Sequence, residues 1–481
     1  MSAPAAGIDA TAATTDRPAF AGRWLTAPED MAPFLTDWRR RWTGRAHAVA
    51  QPDDAAGVAA VVAWCHAGRR PVVAQGGNTG LSGGATPDAA GRAVVLSLTR
   101  MRRVREVDVV NDTITVEAGC TLHEVQQAAF AAGRLFPLSF AAEGSCTIGG
   151  NLATNAGGVQ VLRYGNAREL CLGLEVVTAE GERWDGLRGL RKDNTGYDLR
   201  DLYIGSEGTL GIITAAVLKL HPLPARQSCA LGAVESPQAA LRLLDLAKRR
   251  LGPALTAFEL LSDPCLDLVL QHVPSARMPL AQRSPWYVLI ESSESGAAAD
   301  SPGDDAQGSP LEPLLESAFE DGCLQDAAVS SSLAQFEALW LLRESISEAQ
   351  GAAGKTIKHD IALPISAIPA FVAEARQALA VHASQVRLVV FGHLGDGNLH
   401  FNLSPEGGVE PAAFEALEAP INKTVHDLVA RHRGSISAEH GLGVLRREES
   451  RRYKSALELR LMQRVKDALD PLGLMNPGKL I

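Results

Sequence analysis

Three stretches built from glycine and other small residues lie in the first half of the chain, and they constrain its fold more than any other feature. Residues 75–84 read QGGNTGLSGG, residues 144–158 read GSCTIGGNLATNAGG, and residues 205–213 read GSEGTLGII. Glycine adopts positive φ freely and lets an anion approach the backbone N–H groups. One such stretch alone is more often a tight turn. Three in one region indicate a long, phosphate-bearing cofactor that lies along the backbone.

The first of these stretches does not match the common nucleotide-binding loops. Its glycines lack the GxGxxG spacing of a Rossmann turn, and a proline-containing loop and a strand-like run follow it rather than a helix. It also lacks the GK[ST] of a P-loop. A nicotinamide dinucleotide is therefore not expected as the cofactor.

A second constraint comes late in the chain, where residues 391–402 read FGHLGDGNLHFN. Apolar residues flank the Asp396-Gly397 pair, which is a strong signal for a β-hairpin with a two-residue type I′ turn. This turn would place His393 directly opposite His400, with Cβ atoms about 4.5–5.5 Å apart. One metal ion could bind both rings, and Asn402 would lie on the same face.

Residues 438–443, AEHGLG, supply Glu439 and His440. His393, His400 and Glu439 form a His₂Glu set, which suits a catalytic zinc ion with one position open. In an extended segment, His440 would point away from the metal and remain free as a base. The residues alone leave an alternative open, namely a glycine-rich hairpin with two cross-strand histidines and an unrelated Glu-His pair.

Composition limits the class of protein. A chain of 481 residues is long enough for two or three domains, and a net charge of -9 makes nucleic acid or an anionic membrane an unfavourable partner. No apolar run approaches the roughly 18 residues of a membrane span, and the Ala/Thr-rich start lacks the features of a secretory signal. Seven scattered cysteines without CxxC spacing are typical of free thiols, so we expect a cytoplasmic protein.

Helix-like and strand-like patterns alternate along the chain and predict an α+β fold. Single helical patterns cover residues 339–350, 411–432 and 448–469. Residues 291–310, ESSESGAAADSPGDDAQGSP, have almost no large apolar side chains and are predicted to form a flexible, solvated insertion.

Six segments carry a family resemblance. VVAQGGNTGLSGG, EGSCTIGGNLATNAGG, GSEGTLGIIT, GHLGDGNLH, AEHGLG and NPGKLI occur in this order. From about residue 40 to 481 the chain resembles the FAD-dependent D-2-hydroxy-acid dehydrogenases, which are vanillyl-alcohol-oxidase-like flavoproteins. Before it, residues 1–44 are predicted to form an N-terminal tail and entry segment. The resemblance implies a two-subdomain FAD-binding domain over 45–224, an antiparallel-sheet substrate (cap) domain over 225–435, and a helical C-terminal segment over 436–481 that completes the FAD and metal site.

The resemblance also implies which residues bind FAD. They are Gly76, Gly77, Asn78, Thr79, Gly80, Pro137, Gly144, Ser145, Thr147, Gly150, Asn151, Thr154, Gly157, Glu207, Gly208, Ile213 and Asn476. Some relatives tether FAD through a histidine in the first loop, but residues 75–84 contain none. Non-covalent binding is therefore expected, and Cys146 is the one residue in these stretches that could contradict it.

The chemistry implied by the resemblance is oxidation of D-2-hydroxyglutarate to 2-oxoglutarate. His440 would take the hydroxyl proton, the C2 hydride would go to flavin N5, and a divalent metal, expected to be Zn²⁺, would bind the hydroxyl oxygen. Electrons would pass to an electron-transfer flavoprotein or a quinone. A homodimer is also allowed.

A second group of residues bears on which substrate is bound, namely Arg343, Ser347 and Lys358. The helical pattern over 339–350 would put Arg343 and Ser347 on one face, and Lys358 follows in a strand-like segment. From the residues alone, Arg343 could simply pair with a neighbouring acid. By resemblance, the three positions match those that bind the distal carboxylate of D-2-hydroxyglutarate, with serine in place of the more usual threonine at 347, and Asn402 and His440 complete the substrate site. The alternatives are a D-lactate or broad D-2-hydroxy-acid dehydrogenase, or a non-catalytic metal-binding sensor.

Overall fold

The computed structural model describes residues 17–294, 309–382, 385–407 and 409–481. The first part of the predicted tail and most of the predicted insertion over 291–310 lie outside these residues. At its two ends, however, that prediction is wrong. Residues 291–294 complete a β-strand, and Ser309 is buried.

The first sheet is a small, mostly parallel one. Its elements are β1 (Gly22–Leu25), α1 (Pro28–Met31), β2 (Ala48–Pro52), α2 (Ala55–Ala67), β3 (Val72–Gln75) and β4 (Val94–Ser97). The strand order is β1-β2-β4-β3, with β1 antiparallel to β2 and the other pairs parallel. Asp54 caps α2 by accepting a hydrogen bond from the Gly57 N–H group. At the far edge, Val72 of β3 forms a parallel bridge with Met475, from the other end of the chain.

A second, antiparallel sheet follows. Its elements are β5 (Val104–Asp108), β6 (Thr113–Glu117), α3 (Leu122–Ala131), β7 (Arg134–Leu135), α4 (Ile148–Ala153), α5 (Val161–Tyr164), α6 (Ala167–Leu170), β8 (Cys171–Thr178), β9 (Arg183–Gly186), α7 (Leu199–Tyr203), β10 (Gly211–Lys219) and β11 (His221–Pro222). The strand order is β5-β6-β10-β8-β9, and β7 pairs with β11. Thr121 and Glu124 start α3 with a capping box. The glycine stretch over 144–158 therefore runs through α4, beside this sheet.

A third sheet has seven antiparallel strands. Its elements are β12 (Arg226–Val234), α8 (Pro237–Leu251), β13 (Leu255–Ser262), α9 (Asp263–His272), β14 (Trp286–Glu294), α10 (Leu311–Glu320), β15 (Asp326–Val329), α11 (Leu333–Glu344), α12 (Ile346–Ala352), β16 (Asp360–Ala362), α13 (Ile368–Ala378), β17 (Val386–His393) and β18 (Asn398–Pro405). The strand order is β15-β12-β14-β13-β17-β18-β16. Every residue of β13 is buried, because helices cover both faces of the sheet.

Four helices complete the described chain, namely α14 (Pro411–Ala416), α15 (Glu418–Arg431), α16 (Arg447–Tyr453) and α17 (Ala456–Leu469). The α+β class is confirmed, but each of the three long helical patterns is divided into two helices. Ser345, Leu417 and the pair Lys454-Ser455 mark the breaks. At the last break, Ser455 starts α17 with a capping box. Within the described ranges, no helix is both long enough and apolar enough to cross a bilayer.

Candidate functional site

The hairpin of β17 and β18 forms as predicted, but its turn and register differ. Residues 394–397 make a four-residue connection, and Phe391, not His393, lies opposite His400. A type I′ turn needs positive φ at both central residues, whereas only Gly397 of the Asp396-Gly397 pair has it, at 90°. Asp396 instead accepts a hydrogen bond from the Asn398 N–H group. His393 and His400 are therefore diagonal neighbours, with ring centroids 5.8 Å apart.

The predicted metal ligands nevertheless lie together. The ligand atoms of His393, His400 and Glu439 are all within 4.8 Å of one another. His393 is buried and the other two are half-buried, and His400 Nε2 lies 3.8 Å from Glu439 Oε1. Two imidazole nitrogens and one carboxylate oxygen are a donor set that Zn²⁺ binds in catalytic sites. The residues therefore fit a divalent metal ion.

Glu259 of β13 holds the first of these ligands, and the sequence analysis did not identify it. Its side chain is fully buried, its Oε1 atom lies 2.8 Å from His393 Nδ1, and its Oε2 atom accepts a 2.7 Å hydrogen bond from Arg343 Nε. The Nε2 atom of His393 is thus left for a metal. A single acid in the centre of an otherwise uncharged, mostly apolar strand indicates a buried partner, although the strand pattern does not say which residue that partner is.

The pair of Glu259 and His393 is strongly polarised. Burial raises the pKa of Glu259, but His393 and Arg343 outweigh it and lower that pKa to about 2. Burial lowers the pKa of His393, but Glu259 outweighs it and raises that pKa to about 9. The carboxylate of Glu259 therefore stays charged and can hold both partners, whereas a metal ion at His393 Nε2 would have to replace the proton that the ring carries without one.

Asp360 of β16 is a second buried carboxylate that the sequence analysis did not identify. Its Oδ2 atom accepts hydrogen bonds of 3.0 Å from the backbone N–H groups of both Glu439 and His440, and its Oδ1 atom accepts one from Asn398 Nδ2. His440 Nδ1 lies 3.2 Å from the same Oδ2 atom. Asp360, Glu439 and His440 could also be grouped around a metal ion, but the oxygens of Asp360 already serve the protein. We therefore favour the His₂Glu set.

The expectation that the segment is extended, so that His440 points away from the metal site, is wrong. The segment bends instead of extending, and His440 Nε2 lies 3.9 Å from Glu439 Oε1. The rings of His440 and His400 are nearly parallel, at 24°, with centroids 6.1 Å apart. Since Nδ1 faces Asp360, the Nε2 atom of this partly exposed ring is the one that can accept a substrate proton.

Residues 439–445, which we term the catalytic segment, are fixed from two sides. Asp360 of the third sheet binds its first two N–H groups, as described above. Glu207, which precedes β10, accepts hydrogen bonds of 2.7 and 2.8 Å from the N–H groups of Leu442 and Gly443. Asn476 donates in turn to the Glu207 carbonyl. Glu207 and Asn476, predicted to line FAD, therefore use these atoms to hold the catalytic segment.

At Gly76 and Gly77 the first glycine stretch packs too closely on the second to leave room for a side chain. A Cβ atom on Gly77 would lie 1.8 Å from the Ser145 carbonyl oxygen, and one on Gly76 would lie 2.2 Å from Thr147 Oγ1. That Oγ1 atom is buried and has no hydrogen-bond partner among the described residues. A half-buried glycine backbone next to an unpartnered hydroxyl fits a phosphate-bearing cofactor.

The remaining predicted FAD residues differ in exposure. The buried ones are Pro137, Asn151, Glu207, Gly208, Ile213 and Asn476. The half-buried ones are Asn78, Thr79, Gly150, Thr154 and Gly157, and the exposed ones are Gly80, Gly144 and Ser145. The glycine stretch reaches the metal ligands at Gly157, where a Cβ atom would lie 3.1 Å from Glu439 Oε2. Cys146 is buried, and burial raises the pKa of its thiol, which disfavours the reactive thiolate.

The three predicted residues for the distal carboxylate differ in their surroundings. Arg343 is buried and pairs with Glu259, with its guanidinium 4.9 Å from the Phe391 ring centroid, so the acid beside it comes from β13 and not from its own helix. Ser347 is exposed and lies on α12, beyond the break that ends α11, so the predicted shared helical face is wrong. Lys358 is half-buried, and burial, with Arg39 nearby, lowers its pKa to about 8.

Asn402 lies on β18 opposite Lys358, because Ile357 pairs with Leu403 and Asp360 pairs with His400. Its Oδ1 atom accepts a hydrogen bond from the His359 N–H group, and its Nδ2 atom donates to Gln350. The amide of Asn402 is thus engaged with the protein on both sides.

Comparisons with known proteins match both halves of the chain. A family model described as "FAD binding domain" matches residues 46–185, and one described as "FAD linked oxidases, C-terminal domain" matches residues 223–480. The chain is similar to D-2-hydroxyglutarate dehydrogenase of Xanthomonas citri pv. viticola, at 42% identity over 95% of this chain and 94% of that protein. It is also similar to the mitochondrial D-2-hydroxyglutarate dehydrogenase of Bos taurus, at 39% identity over 96% of this chain and 81% of that protein.

Solved structures extend the likeness to the fold. A p-cresol methylhydroxylase structure has a TM-score of 0.72 at 14% identity and covers 95% of this chain and 93% of its own. The 4-ethylphenol oxidase of Gulosibacter chungangensis has a TM-score of 0.69 at 17% identity and covers 95% of this chain and 94% of its own. At these identities the comparison shows the fold alone, and it confirms the predicted architecture of the vanillyl-alcohol-oxidase type.

Proposed function

This chain belongs to the D-2-hydroxyglutarate dehydrogenase family of FAD-linked oxidases, and we propose that it oxidises D-2-hydroxyglutarate to 2-oxoglutarate. The observation that supports this substrate most is the buried carboxylate of Glu259. It bonds the metal-ligand candidate His393 with one oxygen and the cation Arg343 with the other. A cation for a second carboxylate is therefore built into the same cluster as the ligands for the reacting end.

In the proposed reaction, His393, His400 and Glu439 would hold a divalent metal ion, which would make the substrate hydroxyl easier to deprotonate, and FAD, when bound, would supply the hydride acceptor. His440 accepts the hydroxyl proton at Nε2, while Asp360 orients its ring through Nδ1. Arg343 and Lys358 pair with the distal carboxylate. We propose that FAD is bound non-covalently, because residues 75–84 contain no histidine and Cys146 is buried.

A broader D-2-hydroxy-acid dehydrogenase that also uses D-lactate is a second candidate. It is favoured by the exposure of Ser347, because an exposed hydroxyl constrains the distal end of a substrate only weakly. The variant Arg343→Ala separates the two candidates. It should abolish activity on D-2-hydroxyglutarate and leave activity on D-lactate, if any is present, largely unchanged.

The proposed function is tested by anaerobic titration of the purified, FAD-loaded protein with D-2-hydroxyglutarate, D-lactate and their L-enantiomers. We expect D-2-hydroxyglutarate to bleach the flavin absorbance at the lowest concentration, and a chelator to slow the bleaching. Bleaching by the L-acids alone would contradict the stereochemistry. Reduction at full rate in the presence of the chelator would contradict the role of the metal.

Several features stay predictions from the sequence. They are the identity of the metal as Zn²⁺, an electron-transfer flavoprotein or a quinone as the electron acceptor, a cytoplasmic location, a homodimer, and the domain boundaries near residues 45, 225 and 436.

A further inference from the structure

We propose that Glu259 is a positioning residue that joins the two ends of the substrate site, because it orients the metal ligand His393 and the distal cation Arg343 together. The inference rests on the proposed function, since it assigns a substrate end to each partner. It adds a residue on a separate strand that would act through its two partners.

The geometry gives each oxygen of Glu259 one task. Oε1 faces His393 Nδ1 at 2.8 Å, and Oε2 accepts the 2.7 Å hydrogen bond from Arg343 Nε. With Nδ1 committed, the lone pair of His393 that can bind a metal is on Nε2. With Nε committed, the terminal nitrogens of Arg343 have no hydrogen-bond partner within the described ranges, so they are the ones that can bind a carboxylate.

Burial makes this arrangement dependent on a carboxylate. Glu259 is 0% exposed, while His393 and Arg343 are 6% and 7% exposed, so solvent does not replace a lost acceptor easily. A glutamine has one oxygen and one NH₂ group, and it could accept from only one of the two donors. The isosteric methionine has no strong acceptor and would release both.

The chain offers a matched control in Glu291. This buried carboxylate lies on β14, next to β13, and accepts a 3.0 Å hydrogen bond from Trp340 Nε1. Trp340 and Arg343 lie three residues apart on α11. Glu291 therefore ties the same helix to the same sheet, but it makes no hydrogen bond with His393 or Arg343 among the described residues.

The experiment compares wild type, Glu259→Met, Glu259→Gln, Arg343→Ala and Glu291→Met, all as FAD-loaded full-length protein. The first readout is Zn²⁺ affinity, measured by competition with a chromogenic chelator. The second is the preference for glutarate over pentanoate, which have the same chain length but differ by one carboxylate, followed through perturbation of the flavin spectrum. Neither readout requires turnover.

We expect Glu259→Met to weaken Zn²⁺ binding by about 10- to 100-fold and to reduce the preference for glutarate to that of Arg343→Ala. Glu291→Met should change neither by more than about twofold. If Glu259→Met does not fold, Glu259→Gln must lose at least one of the two properties. The inference is overturned if Glu259→Met keeps either property, if Glu259→Gln keeps both, or if Glu291→Met loses as much. A wild-type protein that binds no Zn²⁺, or that does not prefer glutarate, would instead contradict the proposed function.

Discussion

The two halves of the candidate site are constructed differently. On the FAD side the backbone shapes the surface, since the glycines at 76 and 77 pack directly on residues 145–147. On the substrate side, side chains from four separate strands and from residues 439–440 converge, and the buried carboxylates of Glu259 and Asp360 hold them. FAD binding should therefore be lost when an atom is added to a packed glycine of the first half. Metal or substrate binding should be lost when a charged group of the second half is removed.

The largest effect is expected from Gly77→Ala. Its Cβ atom would lie 1.8 Å from the Ser145 carbonyl oxygen, so two backbone segments must separate, and the variant should purify without FAD and without activity. The ratio of flavin to protein absorbance measures this. Gly351→Ala is the control, because a Cβ atom there meets nothing within 4 Å. A yellow Gly77→Ala protein would show that the backbone does not shape this half.

On the substrate side, His440→Ala should lower kcat by about 10²- to 10⁴-fold, which is the usual contribution of a general base. FAD and metal contents should stay unchanged, because neither cofactor is assigned to this ring. Stopped-flow flavin reduction measures the step directly. The exposed His123 provides a control histidine. A reduction rate within a few-fold of wild type would assign the proton to another group.

A smaller, pH-dependent effect is expected from Lys358. Its pKa of about 8 means that the ammonium group is charged below pH 8 and loses its proton as the pH rises through that value. A hydrogen bond to a charged group contributes roughly 1.5 kcal/mol, so KM for D-2-hydroxyglutarate should rise by about tenfold above pH 8. Lys358→Arg stays charged and should show a flat KM across this range. A wild-type KM that is independent of pH would remove Lys358 from the substrate site.

The smallest effect is expected from Ser347→Ala. The side chain is exposed, and surface substitutions usually change free energies by about 0.5 kcal/mol or less, so KM for D-2-hydroxyglutarate should change by no more than about twofold. Steady-state kinetics of this variant beside Ser347→Thr measures it. A tenfold rise in KM for Ser347→Ala alone would restore Ser347 as a substrate ligand.

This contrast also explains what could be predicted from the sequence. Glycine spacing depends directly on backbone shape, so the backbone surface formed by residues 75–84 and 144–158, which we term the cofactor cradle, could be predicted from the sequence. The His₂Glu grouping was also predicted, from residue types. The hairpin register was not, because the Asp396 side chain and the positive φ of Gly397 select a four-residue turn over a two-residue one. The strand register then had to follow the turn.

The two buried carboxylates that hold these side chains could not be predicted for a different reason. Glu259 lies 134 positions from His393, and Asp360 lies 80 positions from His440. No local pattern connects residues at such separations, since their meeting depends on strand order in the completed sheet. The prediction for Ser347 was wrong for the opposite reason, because it relied on a local pattern alone. The helical periodicity of the sequence continues across Ser345, whereas the structure has a break between two helices there.

The bridge between Val72 and Met475 has a consequence for how the protein is made. Strand β3 forms the edge of the first sheet, and its outer neighbour, Met475, is translated only after the whole third sheet. Asn476, which donates to the Gly84 carbonyl, stands 392 positions after it. While the ribosome is still translating the third sheet, β3 therefore has an unpaired edge beside an incomplete cofactor cradle. A nascent chain in which Met475 and Asn476 have not yet been synthesised is therefore not expected to retain FAD.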